Sequence, residues 1–157
     1  DYVITALGSG GTFCGLWLGA KYYKASFEVI GISVAPRYDN ANKELVKLIN
    51  ETSKENKFGI KCEENDIWVE DKYFGNGYNI PDEKTREIIY YLAQTEGIFV
   101  DPCYTAKAFN GMLNLIKTGK IKPNKNVLFI HTGGTPALYT TEHLKEIQAD
   151  INKIYKN

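Results

Sequence analysis

The sequence predicts an α/β domain, an open, mostly parallel, twisted sheet with helices on both faces. Two observations carry this. Short β-branched runs alternate along the chain with longer stretches of helical period, and the first run is apolar on both faces and stops at glycine, as a strand covered from two sides does. The length of 157 residues suits one such domain, so residues 1–157 read as a single α/β unit with 142–157 as a C-terminal helical tail.

Tyr2–Leu7 is the first strand. After Gly8-Ser9-Gly10-Gly11-Thr12 a helix runs from about Phe13 to Lys24. Gly11, Gly15 and Gly19 lie on one face, and since glycine weakens a helix, this stripe implies close approach of another backbone. Phe27–Ala35 is a second strand, ended by Pro36, and Leu45, Leu48, Ile49 and Thr52 share one face of a helix over Asn40–Lys54. Asp66–Val69 reads as a short strand and Tyr73–Tyr78 as a glycine-aromatic loop. Pro81-Asp82-Glu83 opens a helix with acidic residues in its first turn; Thr85, Ile88, Ile89, Leu92 and Ala93 form its apolar face and Gly97 closes it. Ile98–Val100 is a short strand feeding Asp101-Pro102. The next helix starts near Tyr104, with Ala108, Phe109, Met112, Leu113 and Ile116 inward and Gly119 as its stop. Val127–Ile130 is a buried strand, and Leu144, Ile147, Ile151 and Ile154 give the tail a helical face over Glu142–Tyr155.

Composition narrows the function. Lys+Arg and Asp+Glu are both 19, and this balance argues against nucleic-acid backbones and anionic membranes as main partners. The longest apolar runs are strand-length, and no signal peptide is visible. Cys14, Cys62 and Cys103 form no CxxC pair, and His131 and His143 no HExxH, so no metal site and a reduced, cytoplasmic compartment are expected. The chain starts with Asp1 and its only methionine is Met112, as expected of the back part of something longer or of a trimmed start.

In open α/β sheets ligands bind beyond the carboxyl ends of strands. Gly8–Thr12, Asp101–Thr105 and His131–Thr135 hold that position. The first and third combine glycines, which let successive N–H groups converge, with hydroxyls and, for the first, a helix N-terminus: a cradle for phosphate. GxGxxG fails at Phe13, and no Lys-Ser/Thr follows as a Walker loop requires. A plain strand-to-helix turn stays open as the alternative.

Four segments in order, Gly8–Thr12, Tyr78-Asn79-Ile80-Pro81, Glu96–Ala108 and Phe129–Gly134, resemble the D-cysteine desulfhydrase / 1-aminocyclopropane-1-carboxylate deaminase family, pyridoxal-phosphate enzymes of the tryptophan-synthase-β type. The resemblance implies the large-domain portion of a fold-type II enzyme. Ser9, Gly10, Gly11 and Thr12 match the cofactor-phosphate loop, Tyr104 the active-site tyrosine, and Thr132, followed by Gly133, the hydroxyl residue at the pyridine nitrogen. A neutral hydroxyl there leaves the nitrogen unprotonated, a weaker electron sink suited to β-elimination. Thr105 and Thr132 stand where the deaminase branch has Glu and Leu, and so favour the desulfhydrase side; Ala106 and Cys103 depart from the family pattern. The family's Schiff-base lysine lies upstream of the strand that opens this chain. The resemblance thus implies a C-terminal half, inactive alone, of a homodimeric lyase that takes a small amino acid, D-cysteine, to sulfide, pyruvate and ammonia. Ring opening of 1-aminocyclopropane-1-carboxylate, a non-catalytic phosphate-ligand module and a structural domain with an empty loop remain alternatives. Lys107 reads as a solvated or anion-facing lysine, Cys14 and Cys103 as buried small residues, His131 as structural or functional alike, the Tyr22-Tyr23 and Tyr90-Tyr91 pairs as core and edge packing, and the tail as packed on the body.

Overall fold

A computed structural model describes residues 1–154. Its strands are β1 (Tyr2–Leu7), β2 (Glu28–Ser33), β3 (Trp68–Glu70) and β4 (Val127–Ile130), and its helices α1 (Gly11–Tyr22), α2 (Ala41–Glu55), α3 (Glu83–Glu96), α4 (Thr105–Lys117) and α5 (Thr141–Ile154). The strands form one sheet in the order β3-β2-β1-β4, with every pairing parallel. Pairing of Thr5 with Gly31 on one side and Ile130 on the other sets β1 at the centre. Side-chain alternation on the pleat then makes two cores. Leu7 and Val29 face α1 and α2 through Phe13, Trp17, Leu45 and Ile49, while Ile4, Ile30 and Ile32 face α4 through Ala108, Met112 and Leu115. A third cluster joins Ile88, Ile89 and Leu92 of α3 to Ala106 and Leu138. No helix among the described residues is long and apolar enough to cross a membrane.

Several expectations are corrected. Ile98–Val100 is not a strand: Val100 is buried, but the Phe99 carbonyl bonds the His131 ring at 2.9 Å instead of entering a backbone ladder. β4 is an edge strand with Leu128 58% exposed, because an apolar run looks the same at an edge as at a centre. The α1 glycine stripe meets no other backbone; a Cβ at Gly11, Gly15 or Gly19 would have nothing within 4 Å. Leu48 and Ile116 stay exposed at the margins of their helix faces, and Tyr22, Tyr23 and Tyr91 lie on the surface. Tyr90 does pack inward, where it donates to Asp150 on α5 at 3.0 Å and Arg86 pairs with the same carboxylate at 3.3 Å, which lays α5 on α3. Tyr155, the expected end of the tail, lies outside the described residues.

Asp82 caps α3: one carboxylate oxygen accepts from the Thr85 N–H at 2.8 Å and the Thr85 hydroxyl at 2.7 Å. Partial burial works against its charge, but these bonds prevail and hold its pKa below the ordinary carboxylate value. A carboxyl with a folded pKa below its unfolded one stabilises fully above the unfolded value, near 3.9, and loses that contribution as pH falls through the folded pKa. Asp82→Ala is therefore expected to cost about 1 kcal/mol at neutral pH in urea unfolding, with the difference from wild type shrinking as pH falls below about 4.

Candidate functional site

From β1 the chain steps outward to β2 and β3 on one side, whereas β4 lies on the other. The loops leaving β1 and β4 therefore part from neighbouring strands toward opposite sides, and such a switch point opens a crevice at the carboxyl edge. A cavity of about 420 Å³ lies there.

One wall is the N-terminus of α1. The first N–H groups of a helix have no intrahelical acceptor. At α1 no side chain caps them, and no acidic residue stands in the first turn. Gly10 sits at φ 101°, and a Cβ there would fall 2.4 Å from Leu45 Cδ2 in the core. Gly11 opens onto free space. Ser9 and Thr12 flank this turn on the cavity wall. Uncapped donors, a positive helix end and two hydroxyls make a site for an anion.

The opposite wall is the loop after β4. The Gly133 N–H donates to His131 Nδ1 at 3.2 Å, so Nε2 carries the ring proton and donates to the Phe99 carbonyl. His131 thus shapes the loop that presents Thr132, Gly133 and Gly134 to the cavity. Beneath it lies Asp101, fully buried. One of its oxygens accepts from the N–H groups of Cys103 and Tyr104 at 2.8 Å; the other accepts from the Thr105 N–H at 2.8 Å and its hydroxyl at 2.6 Å. This ring of bonds starts α4 and points Tyr104 into the cavity.

The resulting wall joins Ser9, Gly10, Gly11, Thr12, Tyr104, Thr132 and Gly133, each a candidate site residue in the sequence, with Gly134 from the expected loop after β4 and Tyr78, which was no candidate. Tyr78 comes from the loop before α3; its hydroxyl is hydrogen-bonded to that of Tyr104, and the rings meet edge to face at 5.6 Å. The bond to Tyr104, with one to Cys103 and some burial, raises the Tyr78 pKa well above that of free tyrosine. Its only sequence signal was its place at the head of Tyr78–Pro81.

Thr105 does not reach the cavity; its hydroxyl is spent on Asp101. Lys107 is not solvated either: it is fully buried and donates to the Gly77 carbonyl. Cys14 and Cys103 are buried, and burial pushes the Cys14 thiol up to about 11 and raises that of Cys103, so both stay protonated and unreactive at neutral pH.

Comparisons with known proteins identify the family. Residues 1–133 match the family described as "Pyridoxal-phosphate dependent enzyme". A curated protein of Thermotoga maritima, provisionally named 1-aminocyclopropane-1-carboxylate deaminase, is 39% identical over 139 residues, 88% of this chain and 43% of that protein. A crystal structure described as an ACC deaminase homologue superposes with a TM-score of 0.81 at 30% identity, covering 95% of this chain and 43% of that one. The chain thus spans less than half the length of the relatives it matches. It belongs to the family of pyridoxal-phosphate dependent enzymes, and its relatives place it with the D-cysteine desulfhydrase / 1-aminocyclopropane-1-carboxylate deaminase type.

Proposed function

We propose that this chain supplies the cofactor-phosphate and pyridine-nitrogen side of a lyase that eliminates sulfide from D-cysteine. The observation that carries the reading is one cavity uniting an uncapped helix N-terminus with a neutral hydroxyl and a pair of phenols. The donor set fits pyridoxal 5′-phosphate: α1 offers unpaired N–H groups and the open side of Gly11 to the phosphate, and Thr132 offers an uncharged donor to the ring nitrogen. When bound, the cofactor supplies the electron sink that makes a substrate Cα–H acidic. Tyr78 and Tyr104 present their hydrogen-bonded phenols on the cavity wall, where a hydroxyl can donate a hydrogen bond to the departing sulfur without giving up its proton. Overall, the α-proton and sulfide leave, and water converts the resulting enamine to pyruvate and ammonia.

No lysine is among the described residues lining this cavity. The residue that holds the cofactor covalently would come from the part of the relatives' length that this chain does not match, and the open edge of β4 offers that part a strand to pair with. With Thr105 turned into the α4 cap, the case for D-cysteine rests on Thr132 alone. Ring opening of 1-aminocyclopropane-1-carboxylate is the second reading, favoured by what the two relatives are called.

The 157-residue chain alone is expected to release neither sulfide nor pyruvate from D-cysteine; turnover by it would end the half-enzyme reading. Gly11→Glu puts a carboxylate on the open side of α1 without steric conflict. It is expected to weaken pyridoxal-phosphate binding, followed by fluorescence titration, about 100-fold while leaving the melting temperature nearly unchanged. Unaltered binding would mean that the phosphate does not sit there. An enzyme that holds this chain together with its lysine-bearing half should release sulfide from D-cysteine; preferential formation of 2-oxobutyrate from the cyclopropane substrate would favour the second reading.

A further inference from the structure

We propose that Lys107 is a positioning residue for the two phenols: its buried ammonium grips the Gly77 carbonyl and so holds Tyr78 against Tyr104. Lys107 does not line the cavity, so it acts only through the loop it holds. That loop is fastened at each end. Tyr73 donates to Asn114 on α4 at 2.9 Å, and Asp82 caps α3. Between these anchors, Lys107 is the one side chain from outside the loop, among the described residues, that bonds to the loop's backbone; the other links from outside, to Tyr104 and Cys103, fall on the Tyr78 side chain. The bond falls on the residue immediately before Tyr78. Gly77 O also accepts the Ile80 N–H at 3.2 Å, so both lone pairs of this carbonyl are used and its direction is fixed.

The other end of the lever is equally placed. Lys107 stands in the first turn of α4, whose N-cap is Tyr104. The path from Tyr104 through α4 to Lys107, across to Gly77, into Tyr78 and back through the phenol bond closes a ring of short links. A fully buried ammonium is costly unless charge compensates it. Asp82, the cap of α3, and Asp101, whose carboxylate closes the turn that leads into α4, supply that field, although burial still lowers the Lys107 pKa. A neutral side chain could fill this volume at less cost, but it would leave the Gly77 carbonyl without its second donor.

This proposal deepens the functional reading above, yet its test needs no ligand, so its failure would leave the cofactor assignment untouched. The chain is labelled with [13Cζ]tyrosine, and the Tyr78 resonance, assigned with Tyr78→Phe, is followed by NMR through an alkaline titration. Tyr90, raised to about 12 by burial and its bond to Asp150, reports separately on the α3–α5 packing. In Lys107→Met the Tyr78 titration is expected to fall by at least about one pH unit toward the ordinary tyrosine value near 10, while Tyr90 stays late. An unmoved Tyr78 in the folded variant overturns the proposal. Should Tyr90 also revert, Lys107 anchors the whole fold in that background, and Lys107→Arg decides. The longer guanidinium must displace the Gly77 carbonyl, so movement of Tyr78 alone supports the proposal and an unmoved Tyr78 overturns it.

Discussion

Asp101→Ala is expected to lower folding stability by about 3–5 kcal/mol, read as a shift in urea midpoint at unchanged slope and a fall of roughly 10 °C in melting temperature. Loss of an N-cap ordinarily costs about 1 kcal/mol. Asp101 is more than a cap. Its side chain is fully buried, and its two oxygens accept the N–H groups of Cys103, Tyr104 and Thr105 and the Thr105 hydroxyl. Truncation strands three backbone donors in a buried turn, and each stranded group costs on the order of 1–3 kcal/mol before relaxation. Asn should rescue only part of the loss, since whichever way its amide is turned, an NH₂ group faces two donors. Equal stability of the Asn variant and wild type would show that these four bonds contribute far less than their geometry implies.

Gly134→Ala carries the second large effect, on binding as well as stability. Gly134 has φ 99°, where an L side chain is strained, and a Cβ there would lie 2.5 Å from the Asp101 carboxyl carbon. A flexible side-chain end could yield, but this carboxylate is locked by four hydrogen bonds. The loop must therefore lift, taking Thr132 and Gly133 off the cavity wall. The expected result is a loss of about 2–4 kcal/mol in unfolding free energy and weakening of pyridoxal-phosphate affinity by at least tenfold. Pairing Gly134→Ala with Asp101→Ala should cost markedly less than the sum of the two, because the second change removes the obstacle met by the first. Additivity would show that the two positions do not bear on each other.

The same pair marks where sequence reasoning stops. Asp101 and Gly134 are 33 positions apart, and each is legible alone, one as a helix start and the other as a glycine turn; that one is the floor of the other is a fact of packing. Tyr78 and Lys107 are the same kind of case. Both stood inside recognised motifs, yet the bond from Lys107 to Gly77 spans 30 positions, and a lysine near a helix start reads as solvated until a buried carbonyl and two carboxylates surround it. Thr105 reads in the sequence as a mark of the desulfhydrase branch, but in the fold its hydroxyl is spent on Asp101 in the turn beneath the cavity.

By itself the sequence determined what depends on short range: the β-branched runs and 3.6-residue periods that became four strands and five α-helices among the described residues, the Asp82 and Gly97 boundaries of α3, and the glycine-hydroxyl turns after β1 and β4. Tertiary structure alone decided which apolar run would be an edge, which face of α1 would stay open and which residues would share the cavity wall. Periodicity records how a segment divides between inside and outside. It holds no information on which distant segment lies opposite, because that is set by the order of strands in the sheet and by the few buried polar bonds that only the assembled fold can close.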